Sequence, residues 1–311
     1  MIMQVAGAGP QGNRRGVVSV PSCILKSHGY RFDLILYNAF TLSMWGVIKL
    51  ILYKYLSQNV AAKVIKNPTM RFTPIGELND PFEATSSFYE NEGGERPSLV
   101  SLSYCYGALS LSRNPLNPVM WSHYAIGRKY KFQKGYVVDR NNKSHAGVVI
   151  GIDAESAELN SDYNNVLPAK YGSVIYTCIK PVNSYTYSAN TEISEGELKS
   201  FNINLFEALQ RIFLMKAESW SYENEVRVIR NVLRGDIHPI PRKSIKEVYI
   251  GYRNSQSIKY LIIARRLIKK YLPDVNIYVC AMSDFTWEFE KVEIGEHIKN
   301  ITFNKSHFYY I

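Results

Sequence analysis

The sequence lacks most of the short motifs that announce a chemistry. It has no P-loop, so the phosphate cradle of P-loop nucleotidases is not expected. HExxH and GxSxG are absent too, which lowers zinc-peptidase and α/β-hydrolase readings. The four cysteines (Cys23, Cys105, Cys178, Cys280) stand far apart without a CxxC pair. That spacing argues against a structural zinc site and a disulfide framework, and makes a reducing cytoplasm the default location. Neither repeats nor low-complexity segments occur. No convincing signal peptide opens the chain, because the short apolar run Val17–Val20 stops at Pro21. The most apolar stretch, Leu34–Leu56, is interrupted by Asn38, Lys49 and Lys54, so it reads as a buried or interfacial helix and no membrane association is expected.

What is present points to a globular protein. Hydrophobic residues make up 46% and charged residues 21% of 311, enough for a sizeable core. The formal net charge of +10 suits attraction to RNA, DNA or nucleotides, though basic charge alone does not establish such a partner. Twenty-three tyrosines and thirteen phenylalanines suit base stacking as well as ordinary packing.

Residues 1–48 carry little periodicity in their first thirty positions and read as a partly flexible extension; residues 49–311 read as a single α+β domain. Leu42, Trp45, Ile48 and Leu52 recur at helical spacing, although Leu52-Tyr-Lys-Tyr-Leu56 reads equally as a short strand. A small helix is expected over Ala61–Ile65, and strands within Leu99–Ser112, Gly147–Asp153, Lys170–Pro181, Val226–Ile229, Ile245–Ile250 and Ile277–Ala281. Asn117 with Pro118 predicts a helix start. Glu195–Lys216 reads as the longest helix, with Leu198, Phe201, Leu205, Leu209, Ile212 and Phe213 on one stripe. Ile258–Tyr271 reads as a second amphipathic helix, and Thr286–Ile294 as an edge strand. The fold class is therefore mixed α+β, with mostly antiparallel sheets flanked by helices.

The centre of interest is Lys216 through Arg230. Glu223 and Glu225 stand two apart where a strand begins, and alternation there puts both carboxylates on one face, close enough to raise each other's pKa. They form either a catalytic pair or a solvated ion-pair cluster holding Arg227 and Lys216, with Trp220 beside it. Tyr53-Lys54-Tyr55 offers phenols and an ammonium, or simply a helix end with a snorkelling lysine. Asn79, Asp80 and Glu83 offer two carboxylates in a turn, or an Asx-turn that shapes a loop. Ser110 and Ser112 present hydroxyls at a strand end, or satisfy nearby backbone groups. Trp121, His123, Tyr124 and, further on, His145 pair histidines with aromatics in positions that structural histidines also occupy. None of these patterns forms a metal site by its spacing.

In order along the chain, Leu52-Tyr-Lys-Tyr, Leu78-Asn-Asp-Pro-Phe-Glu, Leu109-Ser-Leu-Ser, Met120-Trp-Ser-His-Tyr-Ala, His145-Ala-Gly-Val-Val-Ile-Gly-Ile-Asp and Lys216 through Arg227 resemble the bacterial domain of unknown function 2971. The resemblance covers about Leu50–Ile250. Its layout is similar to that of ADP-ribosyltransferases, which use an early cationic or aromatic position, a serine strand and a late glutamate. The resemblance implies an ADP-ribosyltransferase-like core with NAD as substrate. Lys54 or Tyr55 takes the first position, Ser110 and Ser112 shape the nicotinamide pocket, and Tyr55 or Trp121 stacks on nicotinamide. Glu225 faces the oxocarbenium-like state, while Glu223 orients or deprotonates the acceptor. The first position departs from the usual Arg or His. Such an enzyme would be a toxin or phage-defence effector modifying nucleic acid or protein, with an antitoxin or defence-system partner. The alternatives are a non-catalytic nucleotide- or nucleic-acid-binding module and a metal-dependent nuclease using Asp80, Glu83 and the two glutamates.

Overall fold

The run Val148-Val-Ile-Gly-Ile-Asp153 has no polar face, and all six residues are buried in the middle of the fold. A strand apolar on both sides belongs inside a sheet covered on both faces. The computed structural model describes residues 49–83, 105–128, 132–133, 136–137, 142–179, 193–200, 202–232 and 236–307. In chain order the main elements are β1 (Ile51–Leu56), α1 (Gln58–Lys66), β2 (Thr69–Arg71), β3 (Thr73–Pro74), β4 (Tyr106–Ser112), α2 (Pro118–His123), β5 (Val148–Asp153), β6 (Ile175–Thr177), α3 (Ile203–Leu209), β7 (Met215–Ala217), β8 (Glu225–Asn231), β9 (Ile237–Pro239), β10 (Ile245–Ile250), α4 (Ile258–Tyr271), β11 (Asn276–Met282), β12 (Phe289–Glu293) and α5 (Ile294–His307).

The main sheet has the order β8-β4-β1-β5-β10-β11-β12, with β3 also pairing β4. Its pairings are antiparallel except β10 with β11, which α4 connects as a crossover helix. On one face Leu52, Leu109, Ile150, Ile152, Val226 and Val228 pack with Val64 and Ile65 of α1 and Leu261 and Ile268 of α4. On the other, Tyr55, Trp121, Val149 and Tyr249 form a second core. A third joins Tyr106, Ala108 and Ile229 to Leu205, Leu209 and Phe213. The mixed, mostly antiparallel α+β class expected from the sequence is the one observed.

The sheet is split along one edge of β4. There β1 reaches β4 only at Tyr53 opposite Ser112, while β3 pairs with Gly107 and Ala108. The carbonyl of Ser110, between these two contacts, accepts instead from Lys54 Nζ at 2.7 Å. Strand alternation sends Lys54 to the face opposite Tyr53 and Tyr55, and the split is what lets its long side chain reach β4.

Several expectations need correction. Leu52–Leu56, read from the sequence equally as helix or short strand, is strand, fixed by its register with β5. Residues 34–48 of the stretch expected as a helix over Leu34–Leu56 lie outside the described residues. So do the 1–48 extension, the start of the Leu99–Ser112 strand and the last four residues. The long helix over Glu195–Lys216 is replaced by the seven-residue α3 and a π turn at Gln210–Leu214. Of its apolar stripe Leu198, Leu205, Leu209 and Phe213 are buried and Ile212 partly so, while Phe201 lies outside the described residues. The backbone stops being α-helical where Arg227 Nη1 draws on the Phe213 carbonyl (2.8 Å) and Met215 starts β7, parallel to β6. The strand expected within Lys170–Pro181 contracts to the three residues of β6. Among the described helices, α4 and α5 are the longest, at 14 residues each.

Candidate functional site

β1, β4 and β8 are neighbours in the sheet, so residues from three distant parts of the chain meet at the split. Glu225 pairs across from Ser112 and Arg227 from Ser110. They line a cleft of about 190 Å³ together with Tyr53, Lys54, Tyr55, Asn79, Glu83, Tyr124, Lys216 and Glu223. Thr73, Glu77, Leu78, Leu111 and Met120 complete its walls; Thr73 and Glu77 carried no signal in the sequence beyond ordinary polarity.

At the base of the cleft lies a buried charge cluster. Lys216 Nζ stands 2.9 Å from Glu83, 2.7 Å from Glu223 and 3.1 Å from Glu225. Arg227 forks onto Glu225, with Nε–Oε1 at 2.8 Å and Nη2–Oε2 at 2.9 Å, and also reaches Glu83 at 2.8 Å. All five side chains are at most 7% exposed. Three carboxylates thus face two cations, leaving one negative charge in excess, with the Lys54 ammonium nearby to balance it. The ion-pair reading of the sequence named these partners, but the cluster is buried rather than solvated, and it recruits Glu83 from the turn read either as a carboxylate pair or as a loop-shaping Asx-turn.

Local geometry explains how two glutamates so close in sequence both reach Lys216. They do not alternate along one strand. Glu223 ends a 3₁₀ turn, Glu225 begins β8, and Asn224 between them is left-handed at φ 46°. Asparagine tolerates that conformation better than most residues. The turn is held from several sides: Ser112 Oγ donates to the Glu223 carbonyl, Asn117 Nδ2 to the Tyr222 carbonyl, and the Glu225 amide to Tyr176 Oη. Ser112 is therefore a scaffold for the glutamate turn, whereas Ser110 faces the cleft beside the Glu225 carboxylate.

The raising expected at Glu225 is not what its surroundings give. Burial alone would raise Glu225, but the charge and hydrogen bonds of Arg227, with help from Lys216, hold its carboxyl far below the usual range. Burial would likewise lower Lys216, yet Glu225 and Glu83 push it up. Lys54 behaves differently. Burial brings it down to about 8, with Glu225 and Glu223 opposing only in part. Tyr124 donates to Glu223 Oε1 at 2.6 Å, and burial and that carboxylate raise its pKa. Tyr53 turns its hydroxyl away, to Glu247 at 3.0 Å.

Five of the residues singled out in the sequence do not line the cleft. Trp121 is fully buried, with its indole N–H given to the Pro115 carbonyl and Tyr55 edge-on to its ring, so it presents no face to a ligand. Asp80 is buried and accepts from the Phe82 amide, as an Asx-turn would. His123 is exposed and sits 3.3 Å from Tyr222. His145, left-handed at φ 60°, packs against Phe289. Trp220 lies under the Lys216 ammonium at 4.8 Å, a cation–π contact. Among the described residues no group of three His, Cys, Asp or Glu side chains is placed to hold a metal, and no helix is long and apolar enough to cross a membrane.

No curated protein and no solved structure matches the chain. Residues 120–228 match the model of the family described as Protein of unknown function (DUF2971), a segment that holds Tyr124, Lys216, Glu223, Glu225 and Arg227 of the cleft and supports the resemblance to that family.

Proposed function

We propose that the protein is an ADP-ribosyltransferase-like enzyme that binds the nicotinamide end of NAD in the split between β1 and β4 and acts as a toxin or phage-defence effector on nucleic acid or protein. The observation that supports this reading is convergence. The early aromatic and cationic strand, the serine strand and the glutamate strand are neighbours, and Tyr55, Ser110 and Glu225 line one cleft. The +10 net charge favours a nucleic-acid target.

The cleft, at about 190 Å³, is smaller than the roughly 300 Å³ at which sites for drug-sized ligands begin. It suits one aromatic ring and part of a sugar, with the rest of a dinucleotide lying outside. Its chemistry fits that end: tyrosine rings for stacking, Ser110 and Asn79 for hydrogen bonds to an amide or ribose, and carboxylates at the base. Cleaving the nicotinamide–ribose bond develops positive charge on the sugar, which an ionised carboxylate stabilises. Glu225 is ionised at any working pH. Glu223 accepts a hydrogen bond from the Tyr124 hydroxyl in the cleft.

A second reading is favoured by one observation. Lys216 and Arg227 already neutralise most of the charge on Glu83, Glu223 and Glu225, as a structural cluster in a non-catalytic nucleotide-binding module would require. The same cations occupy the space between the carboxylates that the nuclease alternative would give to a metal.

Calorimetric titration with NAD tests the cleft. Wild type is expected to bind, and Asn79→Trp, which fills the rim from an exposed position, to weaken binding at least about tenfold at unchanged thermal stability. No NAD binding by the wild-type protein would overturn both nucleotide readings.

A further inference from the structure

The cleft contains two lysines in opposite situations. Lys216 is locked by three carboxylates. Lys54 makes its hydrogen bond to a neutral carbonyl, Ser110 O, in the gap where the sheet opens, and lines the cleft. A carbonyl holds an ammonium far less firmly than a carboxylate does, and it leaves the amine free to lose its proton. The charged groups acting on Lys54 are Glu225 and Glu223, both already committed to Lys216 and, for Glu225, to Arg227. Tyr124 and Glu223 supply a hydroxyl and a carboxylate in the same cleft.

We propose that Lys54 is a carbonyl-reactive amine, and that the cleft takes a small aldehyde which condenses with it. In this step the nitrogen lone pair attacks the carbonyl carbon and the C–O double bond opens to a carbinolamine. The oxygen then leaves as water, carrying the two protons lost from nitrogen, and a C=N bond joins Lys54 to the ligand. No oxidant or co-reactant is required. The site is the cleft already described, but the reaction does not depend on NAD. The volume of about 190 Å³ selects small ligands, and the tyrosine walls favour an aromatic or planar one.

The lowered basicity of Lys54, from 10.5 to about 8, supplies the reactive form. At pH 8 about half of Lys54 is neutral, against roughly 0.3% of an ordinary lysine, a ratio of about 160 that restricted access reduces. The test is reductive labelling of the full chain with pyridoxal and cyanoborohydride, without nucleotide, followed by peptide mass mapping across pH 6–10. Lys54 is expected to label at least about tenfold faster at pH 8 than the exposed Lys63 and Lys243, with a rate midpoint near pH 8. Lys54→Arg is expected to remove that fast adduct and no other. Labelling of Lys54 no faster than the exposed lysines, a midpoint above pH 10, or a fast adduct that persists in Lys54→Arg would each overturn the proposal. Because the labelling contains no NAD, its outcome is independent of the titration that tests NAD binding.

Discussion

Lys216→Met is expected to destabilise the protein by about 3–5 kcal/mol in urea unfolding, because the variant keeps the chain's bulk but removes the cation shared by Glu83, Glu223 and Glu225. Those carboxylates are 4–6% exposed, so water cannot take over the role of the ammonium. Breaking a buried pair from one side leaves uncompensated charge, and that penalty exceeds the worth of the pair itself. Arg71 offers the internal comparison. It is 54% exposed and bridges Glu77, 46% exposed, and Asp236, 30% exposed, so Arg71→Met is expected to cost about 1 kcal/mol even though these contacts are as short. Equal effects for the two substitutions would contradict the burial argument.

The second large effect concerns Glu225 and carries a pH signature. Glu225→Gln is expected to cost about 3–5 kcal/mol at pH 7, since the neutral amide leaves Arg227, 2% exposed, without its forked partner. The sign with pH follows from linkage. A carboxyl held lower in the folded than in the unfolded state stabilises the fold above its unfolded pKa, near 4.5, and loses that contribution as pH falls towards its folded value. Wild type should therefore lose stability steeply below about pH 4.5, while Glu225→Gln, with nothing to titrate there, follows a shallower acid limb. The gap between the two proteins narrows as the medium becomes more acidic. Parallel acid limbs would show that Glu225 is not held by Arg227 and Lys216.

Much of this site was legible as parts. The β8 strand start, the Asn117 cap, the buried run of β5 and the pairing of Lys216 and Arg227 with the two glutamates all follow from local pattern, because each depends on neighbours within a few residues. Three features did not. The split between β1 and β4 is a tertiary event, set where β3 takes over one edge of β4, and no local signal marks it. Glu83 enters the cluster across 144 positions to Arg227, where spacing carries no information. Trp121 looked available for stacking because sequence shows an aromatic and not its burial, yet the α2 cap turns it wholly into the core. The failed long helix has a similar cause. Its periodicity is real, but the Phe213 carbonyl is drawn to an arginine on β8 and the last turn is reshaped around it.

The most direct measurement of the central reading is nicotinamide release from NAD by the full chain, followed by chromatography with and without a nucleic-acid acceptor. The cleft formed by β1, β4 and β8 predicts release by wild type, reduced at least about 100-fold in Glu223→Gln, with NAD still bound. NAD that binds in the cleft but is never cleaved, or release that Glu223→Gln leaves unchanged, would contradict a catalytic role for the glutamate turn.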